Sequence, residues 1–184
     1  MKNRLAIALA LSSVLTLTIP TSPAVGAYET PDAQAAASDA ATLARSDMIE
    51  AFGDEPLKPG HYLWRDVPDS VGPKRVVISL SDQLAYLYSG DTLVAVSTIS
   101  SGKDGKPTPT GIFPILEKKP FYRSKKYDNA PMPFMQRIDN YGIALHAGYN
   151  PGVPASHGCV RLPPKFAAKL YGETEVGTPV IIGS

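Results

Sequence analysis

The sequence predicts a mainly β domain, a β-sandwich or closed sheet with one late helix, preceded by an Ala-rich N-terminal helix or linker. Three observations predict it. Short runs of β-branched and aromatic residues recur from residue 74 onward. Gly (15) and Pro (18) are spread between those runs as punctuation. No helical segment separates one apolar run from the next, which argues against a parallel α/β sheet. The 184 residues suit one ordinary domain with appendages. A net charge of +1, from 18 basic and 17 acidic residues, removes the simplest electrostatic case for nucleic-acid binding.

Residues 1–27 have the layout of a secretory signal peptide. Lys2 and Arg4 begin it, an apolar run extends from Leu5 to Leu17, and the small residues Val25-Gly26-Ala27 offer a cleavage site. The run is shorter than the ~20 residues a spanning helix needs, and no cysteine follows it to carry a lipid. Cleavage leaves a net charge of −1 on an exported chain, in the periplasm or cell envelope, and no other stretch is expected to span a membrane.

Residues 28–57 form the N-terminal helix or linker. Pro31 and Asp32 can open a helix, Ala44, Met48 and Phe52 share one face, and Gly53 can end it. An Ala-rich helix of this length is marginal alone, so the reading here is a linker helix or flexible lead.

Residues 58–184 form the main domain, with its core at 74–184. Strands are expected at 75–80, 84–88 and 93–99, with turns at Ser81-Asp82-Gln83 and Ser89-Gly90-Asp91. Further strands are expected at 111–116, 134–138, 142–146 and 176–182. Glu117 to Pro133 reads as a long irregular binding loop, with Phe121, Tyr122, Arg123, Lys125 and Lys126 clustered on it. Pro163-Pro164 starts the late helix, and Phe166, Ala167, Leu170 and Tyr171 give it a buried face. His61, in an aromatic run, is read as packing.

The chemistry concentrates in residues 146–161, which hold two of the three histidines and the single cysteine. A lone cysteine is usually a small buried apolar residue. On an exported chain, beside a His-Gly pair and beyond a Gly/Pro-rich turn from a second histidine, it reads instead as a nucleophile. His146 would take the thiol proton from Cys159, and an imidazolium would then favour the thiolate. The Gly158 and Cys159 N–H groups are candidate oxyanion donors, and Arg161 could hold a substrate carboxylate. Zinc held by His146, His157 and Cys159 is the weaker reading, because no CxxC or HxxxH pair is present. No metal and no cofactor are therefore assigned.

The block Ser156-His157-Gly158-Cys159-Val160-Arg161, the upstream His146 with Gly148-Tyr149, the stretch Thr108-Pro109-Thr110-Gly111-Ile112-Phe113 and the triplet Met132-Pro133-Phe134 resemble the L,D-transpeptidase catalytic domain, also called the YkuD domain. The resemblance covers about residues 74–184. It implies a peptidoglycan enzyme of mostly β fold, in which cysteine cleaves the terminal D-residue from a tetrapeptide stem. A thioester results, and an amine of another stem, commonly on a diaminopimelate side chain, resolves it into a 3–3 cross-link. It implies Cys159 as nucleophile, His146 as general acid/base, and His157 and Gly158 as residues shaping the site. Arg161, Ser156, Tyr149, Met132 and Phe134 would contact the stem peptides, and residues 117–133 would cover the donor. It also implies acylation of the cysteine by carbapenems. Two positions differ from many members: His146 is followed by Ala147-Gly148 with no hydroxyl, and Arg161 stands where several carry Asn. A backbone carbonyl or a residue elsewhere must then orient His146. An L,D-carboxypeptidase on the same site and a non-catalytic wall-binding module are the alternatives, and an envelope-protein lysine is a further acceptor.

Overall fold

The computed structural model describes residues 28–68 and 72–184; the leader expected at 1–27 lies outside them. Helix α1 spans Pro31–Phe52. Strands follow at β1 (Tyr62–Trp64), β2 (Lys74–Ser79), β3 (Leu84–Ser89), β4 (Thr92–Thr98), β5 (Gly111–Pro114), β6 (Glu117–Lys119), β7 (Met135–Arg137), β8 (Ala144–Ala147) and β9 (Val160–Leu162). Helix α2 (Pro164–Glu173) and β10 (Pro179–Gly183) close the order. Two mixed sheets result, one of six strands in the order β1-β4-β3-β2-β10-β5 and one of four in the order β6-β7-β8-β9. Of the two layouts expected, two facing sheets is the one adopted, with the late helix in place.

The two sheets share one apolar core. Val76, Ile78, Leu87, Phe113, Val180 and Ile182 of the larger sheet meet Leu145, Val160 and Leu162 of the smaller one. Phe166, Ala167 and Leu170 of α2 fill the space between them. The rings of Tyr62 and Trp64 lie 5.7 and 6.0 Å from that of Phe166, which ties β1 to this helix. His61 is exposed, so the packing expected of it is done by its neighbours.

Helix α1 is not a linker. Thr30 caps its start by accepting the Ala33 N–H, and Gly53, at φ 89°, ends it. Ala33, Ala37, Ala41, Ala44 and Met48 form one buried stripe against the outer face of the larger sheet. The alanines let the backbones come close. A Cβ on Gly183 of β10 would lie 2.4 Å from the Ala37 carbonyl oxygen, so only glycine fits there. Docking supplies the stability that an isolated Ala-rich helix lacks.

The stretch 117–133 is likewise more ordered than its composition suggests. β6 pairs with β7, and the segment between them is a flap held by its own backbone bonds. The Met132 N–H donates to the Tyr122 carbonyl, the Phe134 N–H to Pro120 and the Ser124 N–H to Ala130. β6 carries Glu-Lys-Lys rather than an apolar alternation, so periodicity misses it. Ion pairs from Glu117 to Lys119 (2.6 Å) and Arg137 (3.0 Å) hold it instead.

Candidate active site

β8 and β9 run parallel, with Leu145 opposite Val160 and His146 opposite Arg161. The Gly/Pro-rich segment 148–159 therefore returns the chain to the same end of the sheet rather than closing a hairpin. Side chains alternate along a strand. Leu145, Val160 and Leu162 point into the core. His146, Arg161 and, two residues before it, Cys159 take the opposite face and line one cleft. The cleft has a volume of about 970 Å³ and is also lined by Met132, Phe134, Tyr149 and the flap.

His146 is 7% exposed. Its Nδ1 lies 2.8 Å from the Ala147 carbonyl oxygen. A carbonyl only accepts, so Nδ1 carries the proton and Nε2 keeps its lone pair. The missing hydroxyl after His146 is thus replaced by a backbone carbonyl. Burial holds the imidazole below its usual range, against the opposing pull of that hydrogen bond, and the Arg161 charge lowers it further.

Cys159 is half-buried, with its thiol 3.7 Å from the Gly142 carbonyl oxygen. Burial raises its pKa, outweighing a backbone hydrogen bond at Ala144 and the Arg161 and Lys126 charges, which lower it; Asp139 adds to the rise. Both shifts favour the uncharged forms, thiol for Cys159 and imidazole for His146. The imidazole has the lone pair needed to take the proton during attack.

The loop that carries Cys159 is tied by side chains. Ser156 is fully buried; its Oγ donates to the Cys159 carbonyl (2.5 Å) and accepts the Gly158 N–H (3.0 Å). Its hydroxyl is thus engaged within the loop, on the wall of the cleft. The Gly158 N–H is engaged too, by Ser156 Oγ, which leaves the Cys159 N–H as the candidate of the expected pair. Gly158 is required for another reason: its φ is 114°, and a Cβ would lie 2.6 Å from Ile143 Cδ1. Thr108 Oγ1 donates to the Gly158 carbonyl (2.8 Å) and accepts the Gly102 N–H (2.9 Å). In the sequence Thr108 stands out only as the first residue of the stretch 108–113.

The remaining residues separate into two groups. Arg161 lines the cleft with its stem against Gly148, and Tyr149 is 79% exposed at the mouth. Phe134, at φ 56°, lies 5.9 Å from the Tyr171 ring and also lines the cleft. Met132 is buried with Met135 and Ala144 in a small cluster on which Cys159 rests. His157 is exposed, and its ring stacks on Tyr127 of the flap at 4.6 Å between centroids. Tyr127 escaped the sequence reading because a single ring at a loop tip carries no periodic signal. Among the described residues, no three His, Cys, Asp or Glu side chains come together to hold a metal ion.

The family model of the L,D-transpeptidase catalytic domain, YkuD, matches residues 73–182. A Bacillus licheniformis protein that carries the name L,D-transpeptidase YkuD is 32% identical over 121 residues, which is 62% of this chain and 68% of that protein. An L,D-transpeptidase from Mycobacterium smegmatis superposes with a TM-score of 0.57 at 22% identity, over 60% of this chain and 58% of that one. L,D-transpeptidase 3 from Mycobacterium tuberculosis, in complex with a faropenem-derived adduct, gives 0.55 at 20% identity, over 61% and 60%. The chain spans about three fifths of each of these two solved structures, and at these identities the likeness is one of fold.

Proposed function

The chain belongs to the L,D-transpeptidase catalytic domain family, and on that premise we propose that it is an acyltransferase acting on peptidoglycan stems with Cys159 as nucleophile. The supporting observation is that His146 of β8 and Cys159, the residue before β9, line one cleft, with Nε2 of His146 left as the lone-pair nitrogen.

The reaction begins with Sγ of Cys159 attacking the carbonyl carbon that precedes the terminal D-residue of a tetrapeptide. Nε2 of His146 takes the thiol proton as the carbon–sulfur bond forms. Charge develops on the carbonyl oxygen, and the Cys159 N–H donates to it. The tetrahedral species collapses, the carbon–nitrogen bond breaks, and the imidazolium returns its proton to the departing D-amino acid. A thioester remains on Cys159. An amine of a second stem then loses a proton to His146 and attacks the thioester, restoring the thiol and leaving a 3–3 cross-link. Arg161 offers the donor's carboxylate a two-point partner.

Export to the periplasm or cell envelope, after cleavage at residue 27, fits this reaction. Among the described residues no helix is long and apolar enough to cross a membrane. The test is to incubate the protein with purified disaccharide-tetrapeptide and separate the products. Cross-linked dimer with release of the D-residue supports the transpeptidase. Tripeptide without dimer assigns the site to an L,D-carboxypeptidase. Unchanged substrate refutes both and leaves a wall-binding module.

A further inference from the structure

The flap carries charge that its own fold does not neutralise. Lys125 and Lys126 stand at its tip and line the cleft with Arg161, and Arg123 stands at its base. None of these four is in an ion pair with a carboxylate among the described residues, whereas Arg137 in the same sheet is paired with Glu117 at 3.0 Å. Two acids lie near. Asp128 is exposed on the tip, and Asp139 uses one carboxylate oxygen to accept the N–H groups of Tyr141, Gly142 and Ile143. Cations therefore outnumber acids at the mouth.

The tip is held in place. Tyr127 stacks on His157 with ring planes 20° apart, and the Lys126 ammonium lies 5.7 Å from the centroid of the same Tyr127 ring. His157 is two residues from the nucleophile. The stack thus holds the flap tip beside the loop of Cys159, and Lys126 lines the same cleft as Cys159. The Lys126 charge is felt at the Cys159 sulfur, which it pulls toward the thiolate.

Resting on the transpeptidase reading, we propose that Lys126, with Lys125 beside it, binds a free side-chain carboxylate on the donor residue whose carbonyl Cys159 attacks, so that the enzyme selects acidic over amidated stems. A charge-assisted hydrogen bond in a half-enclosed cleft is the physical basis, because an amide at that position neither attracts the ammonium nor accepts as strongly.

The test compares two tetrapeptide donors that differ only in whether that carboxylate is free or amidated, reading thioester formation on Cys159 by intact mass. Wild-type protein is expected to favour the free acid about tenfold or more in kcat/KM. Lys126→Gln should reduce that ratio to about two, mainly through KM, while Lys126→Arg should retain most of it. Lys126 is exposed, so neither change disturbs the core. Equal use of the two donors by wild-type protein, or a ratio unmoved by Lys126→Gln, overturns the inference and leaves the transpeptidase reading standing. No thioester from either donor overturns both.

Discussion

The two sheets are built by different physics. The larger sheet is held by apolar burial: β2, β3 and β4 are buried along nearly their whole length, on one face by the core and on the other by α1. The smaller sheet is made mostly of three-residue strands, and polar side chains bonded to backbone fix its shape. Ser156 and Thr108 hold the loop that carries Cys159, Asp139 gathers three N–H groups, and Asn150 donates to the Thr98 carbonyl at 2.8 Å. The first arrangement confers stability and tolerates swaps of similar volume. The second places a thiol and an imidazole, and each of its bonds matters for geometry.

That contrast can be broken by substitution. The largest effect belongs to the smaller sheet's reacting groups: Cys159→Ala should abolish acylation, a loss of at least about 10³-fold, and His146→Ala should approach it. Neither should lower Tm as much as a core truncation, and circular dichroism melts run beside the assay check this. Met48→Ala should behave in the opposite way. Met48 is fully buried in the α1 interface, so its truncation should cost about 2–5 kcal/mol in denaturant unfolding while leaving kcat near wild type. Loss of activity at full stability in this variant would show that α1 serves the site directly.

Ser156→Ala sharpens the comparison, because it strips two hydrogen bonds from a buried loop without leaving a large cavity. About 1–3 kcal/mol of stability and a disproportionate part of the acylation rate should go together, since the Cys159 carbonyl and the Gly158 N–H lose their shared partner. The smallest effect is on the pH dependence of stability. His146 is depressed in the folded state, so the unfolded chain binds its proton first, and stability should fall as pH drops below the ordinary histidine range of about 6.5. Cys159 is raised, so stability should also fall as pH rises through the ordinary thiol range of about 8.5. His146→Ala should flatten the acid limb alone, as measured by urea midpoints across pH.

The same contrast explains what the sequence makes legible. Strands such as Arg75–Leu80 and Leu84–Tyr88 declare themselves through β-branched and aromatic runs, and the observed Lys74–Ser79 and Leu84–Ser89 lie within a residue of them. β1, β6 and β9 have three residues each, too few for a period to register. The docking of α1 is hidden because alanine stripes look alike whether exposed or buried; the informative partner is Gly183, far along the chain. In the site, Cys159 and His146 are legible through residue chemistry and motif. The roles of Ser156 and Gly158 are only half legible, because which N–H groups remain free depends on where a hydroxyl points. Tyr127 meets His157 only through the flap's fold.

The central claim is a proton transfer from Cys159 to His146 as a carbonyl arrives. Its most direct measurement is intact mass spectrometry of the protein mixed with a tetrapeptide donor and quenched in acid. The account predicts a thioester on Cys159 with the terminal D-residue lost, undetectable in Cys159→Ala and formed at least about 10³-fold more slowly in His146→Ala. An acyl adduct that persists in Cys159→Ala, or that forms at the wild-type rate in His146→Ala, would contradict it.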